Sequence, residues 1–307
     1  MAERPRLSYT RSVKARRVSA LLGGLGLATV GLTLVLVPPN APVYAGGKPE
    51  SVPKAPAPNK PALVTAPGEK GCPAEMAKNG ASCIDRYEGR LLQRSSDGTL
   101  TPHPAHERPT TGGTFVAESR AGVRPQGYIS RPEAASACEN AGKRLCSIRE
   151  WYGACRGEKK TLFPYGETFV KDRCNVGKPH LLSILHGKDP KLWEYDKGFN
   201  DPELDRRPGF LAETGTYDGC VSSAGVYDLV GNLHEWVADK VDLSITDKIP
   251  LTWGVKARLY ANIGKGVFMG GFFSTTNQHG EGCDFSTMAH EPGYHDYSTG
   301  FRCCKDL

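Results

Sequence analysis

All ten cysteines of this 307-residue chain fall between Cys72 and Cys304, after its one long apolar run and never before it. That run is "ALLGGLGLATVGLTLVLV", Ala20 to Val37. An even number of thiols carried behind such a segment reads as a disulfide framework made in an oxidising compartment. Cross-links of this kind hold long irregular loops that packing alone would leave loose. No Cys-x-x-Cys pair occurs, which argues against a structural zinc cluster.

The apolar run itself follows Arg4, Arg6, Arg11, Lys14, Arg16 and Arg17. Val43 and Ala45 place small residues where a signal peptidase cuts. Residues 1–45 therefore read as a signal peptide cleaved after Ala45 or as an uncleaved N-terminal membrane anchor, since eighteen apolar residues just span a bilayer. Either reading exports the remainder to the periplasm or beyond the cell and leaves the basic flank in the cytoplasm. Residues 46–70 are rich in Pro, Ala and Lys and read as an extended tether. The folded domain is expected over 71–307. Much of the formal charge of +6 lies in the N-terminal flank. The domain is nearly balanced, which gives no reason to expect nucleic-acid binding. Membrane contact is expected through the N-terminal segment alone.

Within the domain, "ISRPEAASACENAGKRLCSIREWYGACRG" is the clearest structural stretch. Ser130 with Glu133, and Ser147 with Glu150, have the spacing of two capping boxes. Ala134, Ala137, Cys138 and Ala141 then recur at helical spacing until Gly142. Ile148, Trp151 and Cys155 share a face of a second helix that Gly157 ends. Elsewhere the pattern is short strands and loops, with 36 glycines and 23 prolines across the chain. "KGVFMGGFFST" reads as a strand broken by two glycines, and "STGFRCCKDL" as one short terminal strand. The class is α+β and loop-rich.

The segment "GVYDLVGNLHEWVADK" gathers Asp228, Asn232, Glu235 and Asp239 around Gly231. Their spacing suits a solvated helix face. Equally, oxygen donors about a tight glycine turn suit a hard cation such as calcium.

Four stretches, in order, resemble the formylglycine-generating enzyme (sulfatase-modifying factor) family: "AGKRLCSIREWYGACRG", "FPYG", "GVYDLVGNLHEWVAD", and Gly270-Gly271 with "GFRCC". The resemblance implies that family's C-type-lectin-related fold over roughly Cys72 to Leu307. It implies a structural calcium held by Asp228, the Gly231 and Leu233 carbonyls and Glu235, with Asn175 and Val176 resembling part of a second calcium site. It also implies bridges from Cys138 to Cys303 and from Cys155 to Cys283. Beyond the resemblance, Cys72 and Cys83 are read as closing a loop at the domain entrance, Cys174 and Cys220 as flanking a weakly structured insert, and Cys146 with Cys304 as the remaining pair.

Catalytic members bind copper through two cysteines, five residues apart, shortly after the Gly-Gly. Counted here, those places fall on Thr275 and Gly280. Neither supplies a thiolate, the soft ligand that Cu(I) prefers, so copper is not expected. His279, His290 and His295 with Asp284 and Asp296 crowd the same region without a recognisable ligand spacing. They read as loop residues, and His234 as structural. Three functional readings follow. The first is a non-catalytic binding or accessory module that takes a peptide, protein or glycan in its groove. The second is an oxidoreductase of the formylglycine-generating type with an altered metal site. The third is a tethered structural envelope protein.

Overall fold

The computed structural model describes residues 71–276 and 280–307. The signal or anchor, the tether and His279 lie outside the described residues.

Both capping boxes form. The Glu133 carboxylate accepts from the Ser130 backbone N–H at 2.8 Å and from its hydroxyl at 2.6 Å, starting α1 (Arg131–Asn140). Glu150 accepts from the Ser147 N–H at 2.9 Å while Ser147 Oγ accepts from the Glu150 N–H, starting α2 (Ile148–Arg156). Asp239 also accepts from the Ile148 N–H at 2.7 Å, so an acid from a distant strand closes the same helix end. Such reciprocal bonds satisfy donors that a helix start leaves open. α1 buries Ala134, Ala137 and Cys138, and α2 buries Ile148, Trp151, Ala154 and Cys155. Three shorter helices follow: α3 (Leu181–Leu185), α4 (Glu203–Arg206) and α5 (Trp253–Ala257).

The strands are β1 (Met76–Asn79), β2 (Ser82–Asp85), β3 (Gly89–Arg94), β4 (Leu100–Pro102), β5 (Thr114–Ser119), β6 (Arg144–Leu145), β7 (His234–Lys240), β8 (Gly266–Met269), β9 (Ser286–Thr287), β10 (Thr299–Phe301) and β11 (Cys303–Asp306). They form three sheets, ordered β1-β2-β11-β6, β10-β7-β8-β9 and β4-β3-β5. All described pairings are antiparallel except β7 with β10.

Two details differ from the sequence reading. The acidic stretch is not a helix: Glu235 and Asp239 lie on β7, while Asp228 and Asn232 lie in the turns before it. The C-terminal segment is two strands, not one. β10 belongs to the second sheet and β11 to the first, and Arg302 is the residue where the chain changes sheets. Its side chain bonds groups from three other segments, joining β2 of the first sheet to β7 of the second.

Five disulfides join Cys72 to Cys83, Cys138 to Cys303, Cys146 to Cys304, Cys155 to Cys283 and Cys174 to Cys220. Three of them tie α1, α2 and Cys146, the residue after β6, to the C-terminal segment. The core around Trp151, Val237 and Met269 surrounds the Cys155–Cys283 bridge, and a second cluster around Leu91, Phe301 and Ala137 surrounds Cys138–Cys303.

Candidate functional site: a buried charge centre beside an aromatic cavity

The turn before β7 is set by close backbone approach. Gly231 has φ +83°, and a Cβ there would lie 2.1 Å from the Asn175 carbonyl oxygen. Gly270 has φ +82°, its Cβ would lie 2.6 Å from the Leu229 carbonyl oxygen, and its own carbonyl accepts from the Gly231 N–H at 2.9 Å. Only glycine meets both demands without strain. Asp228 and Asn232 adopt φ near +59° and +58°, a conformation these two side chains tolerate better than most.

That geometry turns three carboxylates inward. Glu88, Asp228 and Glu235 are each at most 3% exposed. Glu235 is clamped by Arg302, whose Nε donates to Oε2 and whose Nη2 donates to Oε1, both at 2.6 Å. Trp151 Nε1 donates to the same Oε2 at 2.7 Å. Asp228 accepts from the Gly215 N–H at 2.7 Å. Glu88 accepts from Asn232 Nδ2 at 2.5 Å and from the Leu233 N–H at 3.0 Å. One guanidinium thus faces three acids. Burial, together with the nearby Asp228 and Glu235 charges, pushes Glu88 well above the usual carboxylate range. Burial pushes Asp228 up to about 7. Arg302 is raised: burial opposes its charge, but the Glu235 carboxylate overcomes that. The centre carries more acid than base, and burial shifts Glu88 and Asp228 towards their neutral forms around the Arg302–Glu235 pair.

The Asn175–Val176 pair is arranged differently. Asn175 Nδ2 donates to the Phe210 carbonyl at 2.9 Å and to Asn232 Oδ1 at 2.7 Å. Its Oδ1 is buried without a hydrogen-bond partner. Beside it, Lys178 Nζ donates to the Gly209 carbonyl at 2.7 Å and to the same Phe210 carbonyl at 2.9 Å. Burial lowers that ammonium to about 8. Among the described residues, no cluster of three His, Cys, Asp or Glu side chains is placed to hold a metal ion.

Thr275 and Gly280 line one small cavity of about 240 Å³. Thr275 Oγ1 accepts from the Phe272 N–H at 2.7 Å, so its hydroxyl braces the turn after the two glycines. Every cysteine is bridged, leaving no thiol for copper.

A larger cavity, of about 520 Å³, also reaches Thr275 and holds His180, His234, Phe272, His290 and Asp296 in its wall. His234, read from sequence as structural, starts β7 and is buried among Phe268, Phe272 and Phe285, with part of its surface in the wall of this cavity. His290 stacks on Tyr294 at 4.0 Å between ring centroids. Of the described residues in the histidine and acid cluster, His290 and Asp296 share this wall and the others turn elsewhere. His295 turns to Asn200, and Asp284 accepts from the Tyr152 hydroxyl. Sequence reasoning missed Glu88, which lies far from the acidic stretch, and His180, in a segment without periodicity.

The chain is similar to several known proteins. A family model described as "Sulfatase-modifying factor enzyme 1-like domain" matches residues 81–307. "Inactive C-alpha-formylglycine-generating enzyme 2" of Bos taurus is 30% identical over 124 residues, covering 40% of this chain and 35% of that protein. "Formylglycine-generating enzyme" of Mus musculus is 30% identical over 114 residues, covering 36% of this chain and 26% of that protein. The matched segment therefore spans about a third or less of these relatives' length. Among solved structures, the "Major Tropism Determinant I1 Variant" aligns with a TM-score of 0.41 and 16% identity, over 77% of this chain and 53% of the other. On the span of the family match, reaching from the second strand to the last residue, the chain belongs to the sulfatase-modifying factor enzyme 1-like family.

Proposed function

We propose that this domain is a non-catalytic member of its family, exported from the cytoplasm, which binds a ligand in the groove where catalytic members do copper chemistry. The observation that carries the reading is the substitution at that groove. Thr275 and Gly280 share one cavity, and all ten cysteines are consumed by bridges. Cu(I) needs thiolates placed together, and a hydroxyl engaged in a turn cannot replace them. One of the relatives similar to this chain is itself named inactive. Export is supported by the five bridges, since disulfides persist in oxidising compartments. The proposed partner class is a peptide, protein or glycan with part of its surface in the groove.

The same reading places structural calcium at the turn, with Asp228 and the Gly231 and Leu233 carbonyls as ligands. The surplus of buried acid supports it. Because both oxygens of Glu235 are held by Arg302 and Trp151, Glu235 contributes charge to this site more than a free ligand atom. The Asn175–Val176 pair does not fit a second calcium. The Lys178 ammonium already lies on the Phe210 carbonyl beside Asn175, and a cation there would meet its charge. Elemental analysis of the purified protein should find calcium near one per chain, not two, and no copper.

Chelation should lower Tm by about 5–10 °C, from about 2.7 kcal/mol of ligand stabilisation at a hundredfold excess over Kd. The pH dependence has a definite sign. Asp228 is raised in the folded protein to about 7, so the stability from its neutral form is present below its ordinary value and lost as pH rises through about 7. Metal-free protein should therefore lose Tm between about pH 4 and 7, and added calcium should remove that loss. Asp228→Asn should abolish the calcium response. A melting curve indifferent to chelator from pH 5 to 8, with no calcium bound, would contradict the site.

A further inference from the structure

We propose that the excursion between β7 and β8 is a docking face for the surface of an anionic lipid bilayer. The domain then meets the membrane through its own body, in addition to the N-terminal segment. This inference is independent of the groove and of any ligand held there.

The excursion is closed and braced. At its base the Val241 N–H donates to the Lys265 carbonyl and the Gly264 N–H donates to the Val241 carbonyl, each at 2.8 Å. Between these ends, Ile245, Ile249, Val255 and Leu259 are sunk in the core that contains Trp151 and Val237. Asp242 accepts from the Ser244 N–H at 2.8 Å in the first turn. Arg258 Nε donates to the Gly254 carbonyl at 3.2 Å at the end of α5. A segment fixed in this way presents its outer side chains with little further ordering on contact.

Its outer side is apolar where solvent should favour polar groups. Trp253 is 86% exposed, Tyr260 77% and Ile263 51%. Val255 and Leu259, which alternate with them, are buried. α5 and the turn after it, Tyr260–Asn262, therefore carry apolar side chains both into the core and out of it. One exposed apolar residue is ordinary, but a group built on a Trp and a Tyr marks a contact surface.

The charge selects the partner. From Lys248 to Gly280 the chain has four lysine or arginine residues, Lys248, Lys256, Arg258 and Lys265, and no acid. Lys248 is paired with Asp239, and Lys265 Nζ donates to the Ala289 carbonyl. Lys256 and Arg258 stand exposed among the aromatic residues. Trp and Tyr rings settle at the headgroup level of a bilayer. Lys and Arg lay their stems along apolar surface and hold anionic headgroups with their charged ends. A second copy of the chain fits less well, because a two-fold contact here sets Lys256 and Arg258 against their own copies. The sequence also supplies the bilayer. Where the apolar run 20–37 is retained as an anchor, residues 38–70 keep the domain within about 100 Å of it, at about 3.1 Å per extended residue.

The test follows the tryptophan emission of the full chain on vesicles with brominated acyl chains, which quench only a ring that reaches them. Of the four tryptophans, Trp151 and Trp236 are buried and Trp193 stacks on His180, so the quenching reports Trp253. Vesicles of phosphatidylglycerol mixed with phosphatidylcholine should quench and blue-shift the emission, and phosphatidylcholine alone should do so far less. Trp253→Phe should abolish the quenching. Lys256→Gln and Arg258→Gln should each lower the ratio of docked to undocked protein about fivefold, and added salt should lower it further. Tyr260→Ser, read through Trp253 itself, should also weaken docking and serves should Trp253→Phe fail to fold, as judged by circular dichroism. Absence of quenching on anionic vesicles, equal quenching on neutral ones, or quenching untouched by the charge substitutions would overturn the proposal. Trp253 emission that shifts with protein concentration in the absence of lipid would assign the face to a second copy and overturn it as well.

Discussion

Arg302→Ala is expected to leave little folded protein. The residue is completely buried where the chain passes from β10 to β11. Besides its two bonds to Glu235, it donates to the Asp85 carbonyl at 3.0 Å and the Tyr227 carbonyl at 2.9 Å. It thus joins β2, β7 and the turn before Asp228. Removing it strands Glu235, Glu88 and Asp228 together without a base, and breaking a buried pair in this way costs about 3–5 kcal/mol. That is a large part of the roughly 5–15 kcal/mol that holds most domains. Glu235→Ala should cost a similar amount by stranding Arg302. The double variant Arg302→Ala with Glu235→Ala should cost less than the sum, because neither charge is then left buried without its partner. Urea unfolding of the four proteins measures the coupling. Single-variant losses under about 1 kcal/mol would show that the pair is solvated, contrary to its position.

The second large effect is expected from the paired substitution Cys155→Ala with Cys283→Ala. The bridge spans 128 residues and anchors α2 to the short turn Gly282–Asp284. Chain entropy alone assigns a loop of this size about 4–5 kcal/mol, against about 3 kcal/mol for a short one such as Cys72–Cys83. Release of Cys283 also loosens Phe285, which packs on His234 at the cavity wall. Tm should fall by about 8–20 °C for the long bridge, with weaker ligand binding in the cavity. Loss of Cys72–Cys83 should lower Tm less and leave binding intact. Equal losses from both bridges would contradict the assignment of Cys283 to cavity support.

Local features were the most legible in the sequence. Ser130 with Glu133, and Ser147 with Glu150, announced two helices because capping is decided within four residues. The glycine pair 270–271 announced a break because positive φ is a property of the residue itself. The charge centre was half legible. Asp228 and Glu235 stood together in one stretch, but Glu88 and Arg302 reach them from β2's neighbouring turn and the C-terminus. Sheet exchange at Arg302 had no local signal either, since pairing partners for β10 and β11 are set by tertiary contacts. The cavity was least legible. Its walls come from His180, Phe272 and Tyr297, more than a hundred residues apart at the extremes, and no spacing rule joins them. The place of His234 was hidden for the same reason: beside the acidic turn in sequence, it packs on the aromatic side in space.

The most direct measurement of the account is mass spectrometry of a sulfatase-type cysteine peptide incubated with purified protein, Cu(I) and oxygen. A non-catalytic domain whose groove presents Thr275 and Gly280 should leave the thiol unchanged at all times and protein concentrations, with or without copper. Copper-dependent loss of the thiol with gain of an aldehyde would contradict it and establish an oxidoreductase with an altered metal site.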